Sequence, residues 1–315
     1  MTEDTRPLMV TIRCLTYNHE PYIRQCLEGF VIQKTNFRYE AIVHDDASTD
    51  GTAAIIKEYA EKYPDIIKPI YETVNQYSKH DGSLRKILDK HTHGKYVALC
   101  EGDDYWTDPY KLQMQVDYLE RNTEYGLVYC QCLKYKQKSN RFIRLFGGIN
   151  ESFCNLIKEN TIPTLTVLFR NDIYIQYIEE ILKKSQGWMM GDYPLWLFFA
   201  QKSKIKFIPK VVGVYRVLTN SASHSPDFSY MEKFIKSEFD MKRYFCNKYG
   251  INIYLEDSLN LSLAKYAFFC KNREKTIIYL NRVSSLSNKY KMIRYASKSL
   301  LTFYIAHLLY ICTRP

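Results

Sequence analysis

Ala98-Leu99-Cys100-Glu101-Gly102-Asp103-Asp104-Tyr105-Trp106-Thr107-Asp108 joins an apolar, strand-like run (residues 96–100) to four acidic side chains, Glu101, Asp103, Asp104 and Asp108. A strand ending in adjacent carboxylates delivers them to a sheet edge, where α/β proteins place their ligand crevices. Neighbouring aspartates repel one another, so the pair calls for a cation or for donor groups to compensate it. A hard divalent ion carrying phosphate oxygens meets that need, because such ions bind through few carboxylates plus substrate phosphates. On these residues alone, a calcium loop or an acid-decorated helix start is the alternative.

A second acidic cluster is built the same way. Residues 39–44 form a short apolar run, followed by Asp45-Asp46-Ala47-Ser48-Thr49-Asp50-Gly51-Thr52. Ile56, Tyr59, Ala60 and Tyr63 then recur at the spacing of an amphipathic helix, and Ser, Thr and Asp are natural caps for its start. Upstream, residues 8–15 are a strand candidate closed by Thr16-Tyr17-Asn18-His19-Glu20-Pro21, with Ile23, Leu27, Phe30 and Val31 marking the next helix. Strand, polar turn and helix, three times over, predict an α/β domain with a mainly parallel sheet.

These motifs, in this order, resemble the family 2 glycosyltransferases of the GT-A fold. The resemblance rests on residues 10–18, on Val43-His44-Asp45-Asp46-Ala47-Ser48-Thr49-Asp50-Gly51-Thr52, and on Gly94-Lys95-Tyr96 leading into Glu101-Gly102-Asp103-Asp104; it covers roughly residues 8 to 225. It implies a Rossmann-like central sheet with flanking helices, and transfer of a sugar from a nucleotide-activated donor with inversion, assisted by Mg²⁺ or Mn²⁺. By the same resemblance Tyr17 stacks on the nucleobase and Asp46 accepts the N3–H of uracil, which favours a UDP-sugar and leaves dTDP open. Asp45 is the one expected to serve the turn. Arg85, at the start of a helix over 83–91, matches the region that sends a basic residue toward the base or diphosphate. Asp103 faces the ribose or sugar and Asp104 the metal. Tyr105 and Trp106 are expected to pack beneath the site. Pro109 fits the first turn of a helix carrying Leu112, Val116 and Leu119.

Further strands are expected over 126–135, 163–170 and 211–217, and helices over 173–184 and 193–201. Gly191-Asp192 looks like the family's acidic motif near the acceptor with its first acid missing, which leaves Asp192 as the catalytic base. An acceptor hydroxyl is a weak nucleophile and needs such a carboxylate to take its proton. Arg216 suits a phosphate by its planar guanidinium. The family often places a histidine two residues after this arginine; here that position is Leu218, and His224 is the substitute metal ligand, with an exposed loop histidine as the alternative.

The chain of 315 residues is long enough for one sizeable α/β domain plus an appended part. Residues 1–228 are expected to be the catalytic domain and 229–315 a helical region. That region holds fifteen Lys and Arg against six Asp and Glu, nearly all of the chain's net charge of +10. Lys291, Arg294 and Lys298 share a helix face ahead of the apolar run Leu300–Cys312, which is too short to span a bilayer. A basic helix leading into an apolar one fits an anionic membrane surface presenting a lipid-linked acceptor; a helical cap with solvated charges is the alternative. No recognisable nucleic-acid module accompanies the basicity. Nine cysteines without metal-site spacing read as reduced, buried thiols. With no signal-peptide pattern, the expected location is the cytoplasm, peripheral on the inner face of its membrane.

Other nucleotide chemistries fit less well. A nucleotidyltransferase would open with a glycine-rich basic loop, and residues 10–20 contain no glycine. Neither a GxGxxG turn nor a P-loop is present. A non-catalytic nucleotide-sugar-binding subunit of an assembly complex is the alternative function, suggested by Gly191 and Leu218.

Overall fold

The computed structural model describes residues 5–182, 187–218, 225 and 227–312. Within them run β1 (Leu8–Thr16), α1 (Ile23–Val31), β2 (Arg38–Asp45), α2 (Thr52–Lys62), β3 (Ile67–Tyr71), α3 (Ser83–Lys90), β4 (Tyr96–Leu99), β5 (Tyr105–Trp106) and α4 (Lys111–Arg121). There follow β6 (Tyr125–Lys136), β7 (Arg141–Phe146), α5 (Phe153–Leu156), β8 (Leu168–Arg170), α6 (Asn171–Tyr177), α7 (Tyr193–Lys202) and β9 (Lys204–Val217). The remainder is α8 (Phe228–Lys248), α9 (Glu256–Phe269), α10 (Arg273–Asn281), α11 (Asn288–Ala296) and α12 (Leu300–Cys312). The chain divides into two compact units, residues 1–184 with 192–217, and residues 185–191 with 218–315.

In the first unit one sheet has the order β3-β2-β1-β4-β8-β6-β9-β5, with β7 added against β6. β3, β2, β1 and β4 pair in parallel. The direction reverses at β8, which pairs antiparallel with both β4 and β6. On one face the parallel strands are apolar because helices cover it: Val10, Ile12, Cys14, Ala41 and Val43 are buried together with Ile23, Leu27 and Phe30 of α1 and Ile56 and Tyr59 of α2. α1 carries Gly29 in its interior for a local reason. A Cβ there would stand 2.8 Å from the Trp106 amide nitrogen, so only glycine lets β5 cross the helix.

The first unit departs from the sequence expectations in several places. The strand expected over 163–170 is only Leu168–Arg170; Thr164–Thr166 forms a 3₁₀ turn, closed by the Thr166 hydroxyl donating to Pro163 O at 2.8 Å. The helix expected from 173 begins at Asn171 and loosens into a π-turn over Ile178–Leu182. β9 starts seven residues before the expected strand, because a register irregularity opposite 129–131 lets Pro209 sit in the strand without a ladder bond. β3 and the exposed β7 were not expected at all, since neither shows clean alternation.

The second unit is helical among its described residues, as expected. α8 buries Met231, Ile235, Phe239 and Phe245, and Tyr279 of α10 donates to Glu232 of α8 at 2.7 Å. No helix of the described residues is long and apolar enough to cross a membrane.

Candidate active site

Parallel pairing in register fixes where the candidate residues meet. Thr16 lies opposite Asp45, and Arg13 opposite Leu99, so β1, β2 and β4 end at one edge and their following turns converge. The turns are tied to each other. Asn18 accepts from the Thr49 amide at 2.8 Å and donates its own amide to Ser48 Oγ at 2.9 Å. The His19 amide donates to Thr52 Oγ1 at 2.8 Å, and Glu20 accepts from the Gly51 amide at 2.9 Å. Asn18 (φ 53°) and Ala47 (φ 64°) are both left-handed. An alanine held there stores backbone strain that the surrounding bonds sustain.

Of the two aspartates closing β2, Asp45 is bonded by the Ser48 hydroxyl, and burial raises its pKa against that bond. Asp46 is also buried: its Oδ1 accepts from the Gln76 amide at 2.6 Å and its Oδ2 from the Tyr77 amide at 2.9 Å, so it pins the segment after β3. Tyr17 stands exposed at the neighbouring turn. Arg85 lies on the first turn of α3, and its guanidinium is engaged by Asp89 at 2.6 Å. Asp89 in turn pairs with the buried Arg13 at 3.0 Å.

The acidic turn after β4 is gripped from below and behind. The Gly102 amide donates to Leu15 O at 2.8 Å, and a Cβ at this position would fall 2.7 Å from the Thr16 side chain and 2.9 Å from His19 Nδ1. Asp104 is buried, with Oδ1 accepting the Arg216 amide at 2.8 Å. Burial first, and then the carboxylates of Asp103 and Glu101, push the Asp104 pKa well above the usual range, against the pull of Arg216. Arg216, only 5% exposed, donates its guanidinium to Asp103 O and to Gln25 Oε1, between the rings of Tyr105 (4.6 Å) and Tyr22 (5.1 Å). Expected at a phosphate, it is spent on holding the acidic turn to α1. Trp106 packs in the core as expected, donating Nε1–H to Leu165 O at 2.7 Å.

Asp192 comes from the other half of the sheet, at the N-terminus of α7. Its Oδ1 accepts the Tyr193 amide and its Oδ2 the Thr164 hydroxyl, both at 2.7 Å. Its carboxylate is nevertheless near enough to the acidic turn to raise Glu101. That side chain is exposed to water. Desolvation, then Asp103, then Asp192 push it up to about 7, a shift that the water at its open side moderates. His224 lies outside the described residues.

Three residues near the turn had been given no role from sequence: Glu101, His19 and Gln25. The signal available was Gly102, a glycine between acids that marks a close backbone approach. His19 is held below its ordinary pKa by desolvation, although Asp103 and Asp50 pull it upward. Its Nδ1 and the neighbouring Thr16 Oγ1 are buried without a hydrogen-bond partner. Orphaned polar atoms, and carboxylates whose pKa is raised by desolvation and mutual repulsion, suit a bound polar ligand with a cation. Among the described residues no group of three or more His, Cys, Asp or Glu is arranged to hold a metal unaided. Mg²⁺ and Mn²⁺ bind through one or two carboxylates plus substrate phosphates, and the all-oxygen donor set of Asp103 and Asp104 fits such an ion.

The family model described as glycosyl transferase family 2 matches residues 12–184. An uncharacterized protein of Mycobacterium tuberculosis (strain H37Rv) is 36% identical over 219 residues, 69% of this chain and 61% of that protein, so the match spans less than two thirds of this relative. The Escherichia coli enzyme named UDP-Glc:alpha-D-GlcNAc-diphosphoundecaprenol beta-1,3-glucosyltransferase WfgD is 25% identical over 275 residues, 85% of this chain and 98% of WfgD. Among solved structures, Staphylococcus aureus TarS 1–349 in complex with UDP superposes with a TM-score of 0.53 at 14% identity, over 98% of this chain and 92% of that one. At that identity the likeness is one of fold.

Proposed function

Since this chain belongs to glycosyl transferase family 2, we propose that it moves a sugar from a nucleotide-sugar, a UDP-sugar by preference, to a hydroxyl of a polysaccharide or lipid-linked oligosaccharide, with inversion. The observation that carries the reading is the meeting of Asp103, Asp104 and Glu101 at the end of β4 with Asp192 close enough to raise Glu101. The donor and lipid-diphosphate acceptor in the name of WfgD support the same substrate classes.

In this reading Tyr17 stacks on the base. Asp46 takes the uracil N3–H, for which each oxygen keeps a second lone pair beside its main-chain bond. Asp103 faces the ribose or sugar. Asp104, with Asp103 beside it, would hold Mg²⁺ or Mn²⁺, which when bound neutralises charge on the leaving diphosphate. Arg216 serves the diphosphate indirectly, by fixing both aspartates, and Arg85 reaches it only by leaving Asp89. Asp192 takes the proton of the acceptor hydroxyl as the new C–O bond forms on the face opposite the leaving group. The bond to UDP breaks, and its electron pair stays on the β-phosphate oxygen. Such a chain would work at the cytoplasmic face of a membrane that presents the acceptor.

Capping of α7 by Asp192 favours one second reading, a subunit that binds donor without turnover. A thermal-shift panel of UDP-, dTDP- and GDP-sugars with and without Mn²⁺, followed by measurement of released UDP, separates the readings. Stabilisation by a UDP-sugar that needs Mn²⁺, with UDP release, is expected. Binding without release supports the subunit, and a shift indifferent to Mn²⁺ removes the metal.

A further inference from the structure

The last two helices of the second unit turn an apolar surface to water. In α12, Phe303 and His307 face inward: Phe303 meets the Phe268 ring edge-on at 5.3 Å, and His307 Nε2 lies 3.0 Å from Phe269 O. On the other side Leu301, Tyr304, Ile305 and Leu308 are 71%, 43%, 49% and 61% exposed. At helical spacing these four fall within an arc of roughly 100°. A water-facing side of a helix is ordinarily its charged side; here no charged residue interrupts it.

α11 likewise exposes apolar side chains, with cations added. Ile293 and Ser297 are buried, while Met292 and Tyr295 are each 73% exposed, beside the exposed Lys291, Arg294 and Lys298. Lys298 Nζ stands 5.2 Å from the centre of the Tyr295 ring. Arg273 fixes the corner between the helices, donating to Ser297 O at 2.6 Å and Lys298 O at 3.0 Å. From Lys275 onward the sequence contains no Asp or Glu.

We propose that this face of α11 and α12 docks on an anionic lipid surface, lying in its plane. Contiguous exposed apolar side chains mark an interaction site. The unopposed cations select an anionic partner, their stems lying along the apolar surface while the charges reach the headgroups. α12, at thirteen residues, is about 20 Å long and cannot cross a bilayer core of about 30 Å. A second copy of the chain is a poorer occupant, because a self-complementary contact would set Lys291, Arg294 and Lys298 against their own counterparts, in a stretch of sequence that supplies no acid from Lys275 onward. The inference does not depend on the donor chemistry, and it gives the lipid-linked acceptor reading a surface to work from.

Flotation of the full chain with phosphatidylcholine vesicles, with and without phosphatidylglycerol, at low and high salt, tests it. Binding is expected only with phosphatidylglycerol and weaker in salt. Leu301→Glu with Leu308→Glu should lower the partition coefficient more than tenfold. Lys291→Ala, Arg294→Ala and Lys298→Ala should each cost roughly fivefold. Calorimetric UDP affinity and sedimentation of the same samples report folding and oligomeric state. Absent or lipid-indifferent binding of the wild type, or variants that float like it, overturns the proposal. So does a wild-type dimer that the leucine pair makes monomeric with flotation unchanged. Should the leucine pair unfold, the three cationic variants, all at water-facing positions, decide alone.

Discussion

Asp192 Oδ1 takes the Tyr193 amide and Oδ2 the Thr164 hydroxyl, and an asparagine could keep both partners satisfied while losing basicity. Asp192→Asn is therefore expected to leave UDP-sugar affinity within about twofold while turnover falls by about two to four orders of magnitude. Calorimetry and steady-state UDP release check the two halves, and unchanged turnover moves the base elsewhere. Lys111 offers a stability prediction outside the site. Its amine is buried over the Trp106 ring at 4.1 Å with Gln115 Oε1 at 2.9 Å, and desolvation lowers its pKa to about 8. The unfolded chain then holds a proton that the folded one has lost between about pH 8 and the ordinary 10.5. Stability from this group thus rises with pH across that window, by about 3 kcal/mol in all. Lys111→Met should abolish the rise in urea midpoints; subtracting variant from wild type cancels the tyrosines that titrate nearby. Single residues were unevenly legible. Adjacent aspartates announce themselves, because their repulsion demands an explanation. Arg216 does not, since nothing in a sequence says whether a guanidinium faces a phosphate or, as here, a carbonyl and a glutamine.

α3 is joined to the sheet through one buried arginine. Arg13 on β1 donates to Thr92 at 2.8 Å and to Tyr174 at 3.0 Å, and pairs with Asp89 at 3.0 Å, which also holds Arg85. Arg13→Met should destabilise the fold by about 3 kcal/mol, at the lower end for a broken buried pair because Arg85 still partners Asp89. Urea unfolding measures the loss, and one below about 1 kcal/mol would make the network ornamental. β1, β2 and β4 of the parallel half are legible because burial leaves short apolar runs bounded by polar turns, whereas β3, at the sheet's edge, shows no such pattern. β8 and β9 were misjudged for the opposite reason. Pro163 and Pro209 punctuate them, and whether a proline ends a strand or sits in a bulge depends on the partner strand, which local sequence does not contain. β7 pairs only with β6 and is largely exposed, so it carries no burial pattern to find.

At the scale of the whole molecule, charge and chemistry are segregated. Nine of the ten net positive charges fall in residues 229–315, whereas every described candidate donor and acceptor residue falls in the first unit. Donor with Mn²⁺ is therefore expected to slow hydrogen exchange at the ends of β1, β2 and β4, by up to about a hundredfold at a hundred times Kd. Amides of α8–α12 should keep their rates; slowing there would join the two units into one ligand-linked body. The reversal of strand direction between β4 and β8 has a consequence of another kind. The residues proposed for the donor lie before it in the chain, apart from Arg216 on β9; the carboxylate proposed for the acceptor, Asp192, lies after it, at the start of a helix and bonded by Thr164. If those proposed roles hold, mutations gathered by a duplicated gene in its later half would alter the acceptor while most of the donor contacts are inherited unchanged, so a lineage could diversify its glycans segment by segment.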